Sequence, residues 1–385
     1  MQQPTFGGSS SYTGFEGDDL NRLFSTAEHP ATRGVMASGE AGKASMVLLP
    51  GGEIVASYIR GYNLGRNPPV GERTEIVRSV DGGKTWSEPV RATNSDDNDR
   101  EGYLVALPDG TLLLCFMKVM AQIEPKRPWQ GPYVCRSRDG GRTWSEPWLV
   151  DVSEICPEGP YGAGDRGHIV LPDGTLLLFV GIYEQPGRPT NYVFISHDGG
   201  ETFPEHHLVT DMSGDSSWSR LPSGRILGFL RLNGADFPHR GAHPELQYGG
   251  ETVHFMGLTA SDDDGRTWSE PKPVTEHNEI PGHILALSDG RLLTTFGVRH
   301  YPLSIQAMIS TDGGETWPNE ARLLLAWHGG RMVHSNGLFR KTMGHPYSIE
   351  LADGQILTTY YCLADQFDPA SCQVETLLWR PPVER

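Results

Sequence analysis

The feature that most constrains this chain is an octamer that recurs five times. Its pattern is Ser-x-Asp-x-Gly-x-Thr-aromatic; the copies begin at Ser79, Ser137, Ser196, Ser261 and Ser310 and end at Trp86, Trp144, Phe203, Trp268 and Trp317. Spacings of 49 to 65 residues mark an array of like units rather than one irregular core. Aspartate accepts backbone N–H groups of its own turn, and glycine adopts φ values closed to other residues. The octamer therefore reads as a hairpin turn whose aromatic residue opens the next strand. A second signal runs out of phase with the first: an apolar run, a turn of the Pro-Asp-Gly type, then another apolar run. These turns centre on Gly51, Asp109, Asp173, Ser223, Asp289 and Asp353. Each of the six units reads strand, turn, strand, loop, strand, octamer, strand. Four strands in each of six units predict an all-β, six-bladed β-propeller with four-stranded antiparallel blades. The last unit ends one strand short, and residues from about 20 to 36 are expected to supply that strand and close the ring. This makes residues 16–385 one propeller domain, preceded by a disordered segment, 1–15.

Composition fits this reading. The 47 glycines and 29 prolines suit many short strands and tight turns. The net charge of −16 repels nucleic acid and anionic membranes, so neither is expected as a partner. Apolar runs such as 112–117 and 176–180 are strand-sized and far short of a bilayer span. The first fifteen residues lack the basic and apolar blocks of a signal peptide, which places the chain in the cytoplasm or, with a leader removed, outside it. Five cysteines without a CxxC spacing argue against zinc, and no metal or other cofactor is expected. The cysteines read as small buried apolar residues. Cross-strand disulfides between Cys115 and Cys135 and between Cys362 and Cys372 are the alternative.

In a propeller the innermost strands converge on one mouth, and here the innermost strand precedes each Pro-Asp-Gly turn. Eight residues before the turns stand Lys43, Glu101, Asp165, Asp215, Pro281 and His345; six before stand Ser45, Tyr103, Gly167, Ser217, His283 and Tyr347. Strand side chains alternate, so both rings are expected on one face, with Arg100, Arg166 and His168 beside them. Five of six residues in the first ring are ionisable, where packing alone asks for Val or Ala. Such a convergence of polar groups is the default site. The His206–His207 pair reads as a solvated turn. Asp262, Asp263 and Asp264 belong to the fourth octamer. The long segment 233–253, with His239, Arg240, His243 and Glu245, is either a contributor to the mouth or surface decoration.

The octamers resemble the Asp boxes of sialidases, and the six-unit layout resembles these enzymes over nearly the whole chain. The resemblance implies a glycan or acidic saccharide as substrate. It places Asp215, in DSSWSRLPSGRILGFLR, where the family has a glutamate, and makes Arg231 and Arg299 part of the arginine set that clamps the substrate carboxylate. An arginine fork matches a carboxylate in two parallel hydrogen bonds. In GHPYSIELADG, counting from the turn puts His345 at the family's tyrosine nucleophile, while matching the letters Tyr-Ser favours Tyr347. The family's Arg-Ile-Pro motif is replaced by GKASMVLLPGG, which leaves Lys43 as the positive charge. The loop expected to carry the acid/base aspartate, 62–74, offers Glu72.

Three readings follow. In the first, a glycoside hydrolase releases an acidic sugar. Tyr347 is the nucleophile, Asp215 takes its proton, Glu72 or Glu101 is the general acid, and the arginines hold the carboxylate. Lys43, Tyr103, Asp165, Arg166 and His283 complete the binding surface. In the second, a uronic-acid polysaccharide lyase or an unusual glycosidase uses His345, His283 and Tyr347 for proton transfer. In the third, the propeller binds carbohydrate without turnover.

Overall fold

The computed structural model describes residues 22–23, 31–65, 71–93, 95, 97–119, 129–185, 188–211, 214–237, 254–299, 303–327, 333–335, 338–340, 343–365 and 368–382. It is a six-bladed β-propeller of antiparallel four-stranded blades. Blade one comprises Ala41–Leu48, Ile54–Arg60, Arg73–Ser79 and Val90–Arg91; blade two, Asn98–Ala106, Leu112–Val119, Trp129–Ser137 and Trp148–Leu149. In blade three the first strand is split into Gly162–Gly164 and Ile169–Val170, both paired with Leu176–Gln185, before Arg188–Ser196 and Glu205–Thr210. Blade four comprises Ser217–Arg220, Ile226–Asn233, His254–Ser261 and Lys272–Pro273; blade five, Glu279–Ala286, Leu292–Val298, Ser304–Ser310 and Leu323–Trp327. Blade six comprises Met343–Glu350, Ile356–Leu363 and Cys372–Trp379, and its fourth strand is Ala31–Ala37 from the start of the chain. Residues Arg22 and Leu23 also pair with Trp327 and Ala326 of blade five, so the chain start stitches two blades.

The octamers fold as hairpin turns with one recurring set of bonds. In the first copy, Thr85 N–H and its hydroxyl donate to Asp81 Oδ1 (2.9 Å) and Oδ2 (2.6 Å), and Gly83 N–H donates to Ser79 Oγ (2.9 Å). Asp139, Asp198, Asp263 and Asp312 accept the same pair of bonds from Thr143, Thr202, Thr267 and Thr316. These donors hold the Asp81 and Asp139 carboxyls far below the usual carboxylate range.

Each octamer aromatic then drops into an apolar core shared with the preceding blade. Trp86 packs with Met46, Tyr58, Ile349 and Leu357 between blades six and one. Trp144, Phe203, Trp268 and Trp317 pack likewise at the next four junctions. Blade six has no octamer, and Trp379 from its third strand fills the junction with blade five instead. Burial of apolar area at these junctions, rather than contacts within a blade, holds the ring together.

Three sequence readings are corrected. The disulfide alternative for the cysteines falls, while their reading as buried residues agrees with the structure: all five are free and buried, Leu114, not Cys115, stands opposite Cys135, and Leu363, not Cys362, stands opposite Cys372. His206 and His207 lie within strand Glu205–Thr210, where His207 Nε2 contacts Glu205 Oε1 at 2.7 Å. The closing strand begins at Ala31 rather than near residue 20. Residues 1–15 and His239, Arg240, His243 and Glu245 lie outside the described residues.

Candidate functional site

First strands of neighbouring blades touch one another around the axis, and those of blades one, two, five and six carry a register shift at one place. In blade one, Gly42 pairs with Ile59 and Ser45 with Ser57, so Lys43 and Ala44 together face Tyr58. Glu101 and Gly102 do the same in blade two, and His345 and Pro346 in blade six. Blade five skips at Ile280 and Pro281. A bulge of this kind re-aims side chains and bends the strand. Its first residue is left-handed although it is not glycine: φ is 51° at Lys43, 53° at Glu101 and 48° at His345. Asp215, just ahead of the first strand of blade four, has φ 62°. Non-glycine residues in this region cost about 1–2 kcal/mol each. Four such residues at equivalent positions of one ring show where the fold carries strain. The alternation used to place the two rings on one face is thus interrupted between them.

The ring six residues before the turns belongs largely to the scaffold. Ser45 Oγ accepts Leu104 N–H (3.1 Å), Ser217 Oγ accepts Ile284 N–H (2.8 Å) and His283 Nδ1 accepts Ser348 N–H (3.4 Å). Each is an inner-strand residue bound by the backbone of the following blade. Between blades three and four the backbone itself makes this link: Trp218 N–H donates to Arg166 O (3.0 Å) and Arg166 N–H to Ser216 O (3.1 Å). Gly167 (φ 80°) sits at that crossing, where a Cβ would lie 2.5 Å from Trp218 O. Tyr347 stacks at a tilt on His283, with ring centroids 4.0 Å apart.

The charged groups converge as the register count implies. Lys43 is ion-paired with Glu101. Glu101 also accepts a long bond from the Tyr103 hydroxyl (3.4 Å). Arg100 Nε lies 2.5 Å from Glu72 Oε2. Lys43 and Arg100 both approach the Tyr62 ring, at 5.9 and 5.8 Å from its centroid. Arg166 Nη2 lies 3.3 Å from Asp215 Oδ1, and Arg231 Nη1 lies 3.6 Å from Asp215 Oδ2. Asp165 is fully engaged by the protein, accepting Asn191 Nδ2–H (2.6 Å) and Ser216 N–H (3.1 Å). Arg299 is buried, with no hydrogen-bond partner for Nε among the described residues.

This field sets the proton affinities. Burial opposes ionisation of Asp215, but Arg166, Arg231, Lys43 and Arg299 outweigh it and hold its pKa below the ordinary value. Burial, joined by the charges of Lys43, Arg166, Arg299 and Arg231, drives His345 well below the usual histidine range. Burial and Arg166 do the same to His283. Both rings are neutral at pH 7. Burial pushes Asp165 up to about 7 and Tyr347 up to about 12. It also raises Glu72, against the pull of Arg100 and Lys43.

Sequence reasoning overlooked Tyr62, Tyr183, Asn191 and Tyr361 as neighbours of the mouth. Tyr361 lies 5.8 Å from the His345 ring and 5.3 Å from Tyr62. Tyr183 is raised by burial and feels Glu101, Arg231 and Asp215. These residues come from second and third strands or loops, to which a count along first strands is blind. Among the described residues no group of three or more His, Cys, Asp or Glu is arranged to hold a metal ion, and no helix is long and apolar enough to cross a membrane.

No family model matches the chain. It is 26% identical over 245 residues to a sialidase of Micromonospora viridifaciens, a match covering 57% of this chain and 37% of that protein. The chain thus spans little more than a third of that relative's length. Among solved structures, a protein of unknown function from Dyadobacter fermentans superposes with a TM-score of 0.70 at 22% identity, over 92% of this chain and all of that one. A Hadza microbial sialidase superposes with a TM-score of 0.63 at 18% identity, over 89% of this chain and 65% of that one. The last two likenesses concern the fold.

Proposed function

This chain is a sialidase-like six-bladed propeller, and from that premise we propose that it is a glycoside hydrolase that releases a carboxylate-bearing sugar. One observation carries the reading: Arg166 Nη2 and Arg231 Nη1 lie 3.3 and 3.6 Å from the Asp215 carboxylate, in a positive field to which Lys43 and Arg299 add. A neutral sugar has no use for such a concentration of cations; an acidic one is held by it. Arg231 and Arg299 take the substrate carboxylate. Tyr347 is the nucleophile, attacking the anomeric carbon as the glycosidic bond breaks. Glu72, whose proton affinity is raised by burial, gives its proton to the leaving oxygen. The Tyr347 phenol must lose a proton first. Two ring residues are available for it, Asp215 and His345. His345 is neutral and its Nδ1 is buried without a hydrogen-bond partner among the described residues, whereas Asp215 is held as an anion by cations.

The same neutral histidine supports elimination across a uronic acid as a second reading. One assay separates the two. The protein is incubated with sialosides, glucuronides, uronic-acid polysaccharides and neutral arabinosides, and products are weighed by mass spectrometry. Hydrolysis releases a free acidic sugar with the mass of one water added. Elimination adds no water and leaves an ultraviolet-absorbing unsaturated uronate. Cleavage of neutral glycosides alone would overturn both.

A further inference from the structure

Asp215 has a second property that the hydrolase reading does not use. Arg166 is 1% exposed, and its Nε and Nη1 have no hydrogen-bond partner among the described residues. Its Nη2 is directed at Asp215 alone, at the carbonyl oxygen (3.1 Å) and at Oδ1 (3.3 Å). Arginine cannot shed its proton, so a buried guanidinium needs a fixed anion. The other mouth carboxylates are committed elsewhere: Glu101 to Lys43, Glu72 to Arg100, and Asp165 to Ser216 N–H and Asn191. Both partners are also fixed through the backbone. Arg166 is tied across the blade junction to Ser216 and Trp218 of blade four, and Asp215 takes its left-handed conformation immediately before Ser216.

We infer that Asp215 is the resident counter-ion of the mouth, a built-in carboxylate that keeps Arg166 and Arg231 in place before any substrate arrives. The inference goes beyond the proposed reaction and stands whether or not the chain cleaves sugars. Removing the carboxylate leaves a hole surrounded by cations, shaped for a small carboxylate from solution. Asp215→Ala therefore melts several degrees below the parent. Sodium formate restores part of that loss saturably, beyond what sodium chloride does at equal ionic strength, as mass action requires of a ligand bound to the folded state. The parent and Asp215→Asn, in which the hole is filled, show no such gain. An equal response to formate in all three proteins would overturn the inference. Should Asp215→Ala not fold, a cycle of Asp215→Asn, Arg166→Gln and the double variant decides instead. A counter-ion role makes the double variant no less stable than Asp215→Asn, because one uncompensated cation has gone with the anion. Strictly additive losses refute it. Neither readout uses a substrate, so a blank activity screen and a failed counter-ion role remain distinguishable.

Discussion

Lys43 and Glu101 hold the same bulge position of adjacent blades, with φ of 51° and 53°, and their side chains meet in an ion pair across the blade junction. The side chains are 11% and 12% exposed, so solvent screens them little. Breaking such a pair from one side leaves a charge in a poor medium; removing both sides does not. Lys43→Met is therefore expected to cost about 2–4 kcal/mol in urea denaturation. The double variant Lys43→Met/Glu101→Gln should recover most of it. A double variant as unstable as the sum of its parts would show that the pair contributes nothing as a pair.

The left-handed ring makes a second prediction. At an ordinary strand position alanine is more stable than glycine, because glycine loses more backbone freedom on folding. At His345, with φ 48°, the Cβ itself is the source of strain, so the order should invert. His345→Gly is expected to exceed His345→Ala in stability by about 0.5–1 kcal/mol. Thermal or denaturant melts of the two variants suffice. Alanine ahead of glycine would mean that the conformation there carries no cost.

How much of this was legible in the sequence depends on which interactions are local. The octamers and Pro-Asp-Gly turns are closed by bonds within a few residues, Thr85 to Asp81 for example, so their geometry is written in their letters and six blades follow. The ring of Lys43, Glu101, Asp215 and His345 could be found by counting, because the turns fix the register. The bulge could not, since no residue type announces it: it falls on Lys-Ala, Glu-Gly and His-Pro alike. Nor could the fate of Asp165 be read. Its oxygens are taken by Asn191, 26 residues on, which the folding of blade three itself brings up, and by Ser216, 51 residues on, which only the closing of blade three against blade four supplies. For the same reason Arg166 and Asp215, far apart in sequence, meet only in the folded ring.

The proposed nucleophile is open to a clean substitution. The Tyr347 ring stacks on His283 with centroids 4.0 Å apart, a contact that phenylalanine keeps. Tyr347→Phe should therefore keep the parent's melting temperature to within a degree or two while kcat/KM on the acidic substrate falls by more than about 10²-fold. A fully active Tyr347→Phe removes the residue from the reaction and transfers attention to His345.

Acid stability supplies the last prediction. His168 is buried, its Nδ1 accepts Phe179 N–H at 3.3 Å, and burial drives its pKa down to about 3 from 6.5. Between those values the unfolded chain binds a proton that the folded chain refuses. Stability therefore rises with pH through that window, and is lost as pH falls below about 6.5. His283 and His345, also driven down by burial, act in the same direction. Asp165, raised to about 7 from 3.8, acts in the other: the folded chain keeps a proton that the unfolded chain has released, so its contribution declines as pH rises towards 7. Beside burial, the charged groups that set its field are Asp215, which raises it, and Arg166, which lowers it. A parent protein alone mixes the two slopes, but His168→Asn isolates one of them. The amide oxygen can still accept Phe179 N–H, while the titration is gone. Between pH 7 and pH 5 the parent should lose about 2 kcal/mol more than His168→Asn in urea denaturation. Parallel pH dependences for the two proteins would mean that His168 accepts its proton in the folded state, and that the site behind it is wetter than its burial implies.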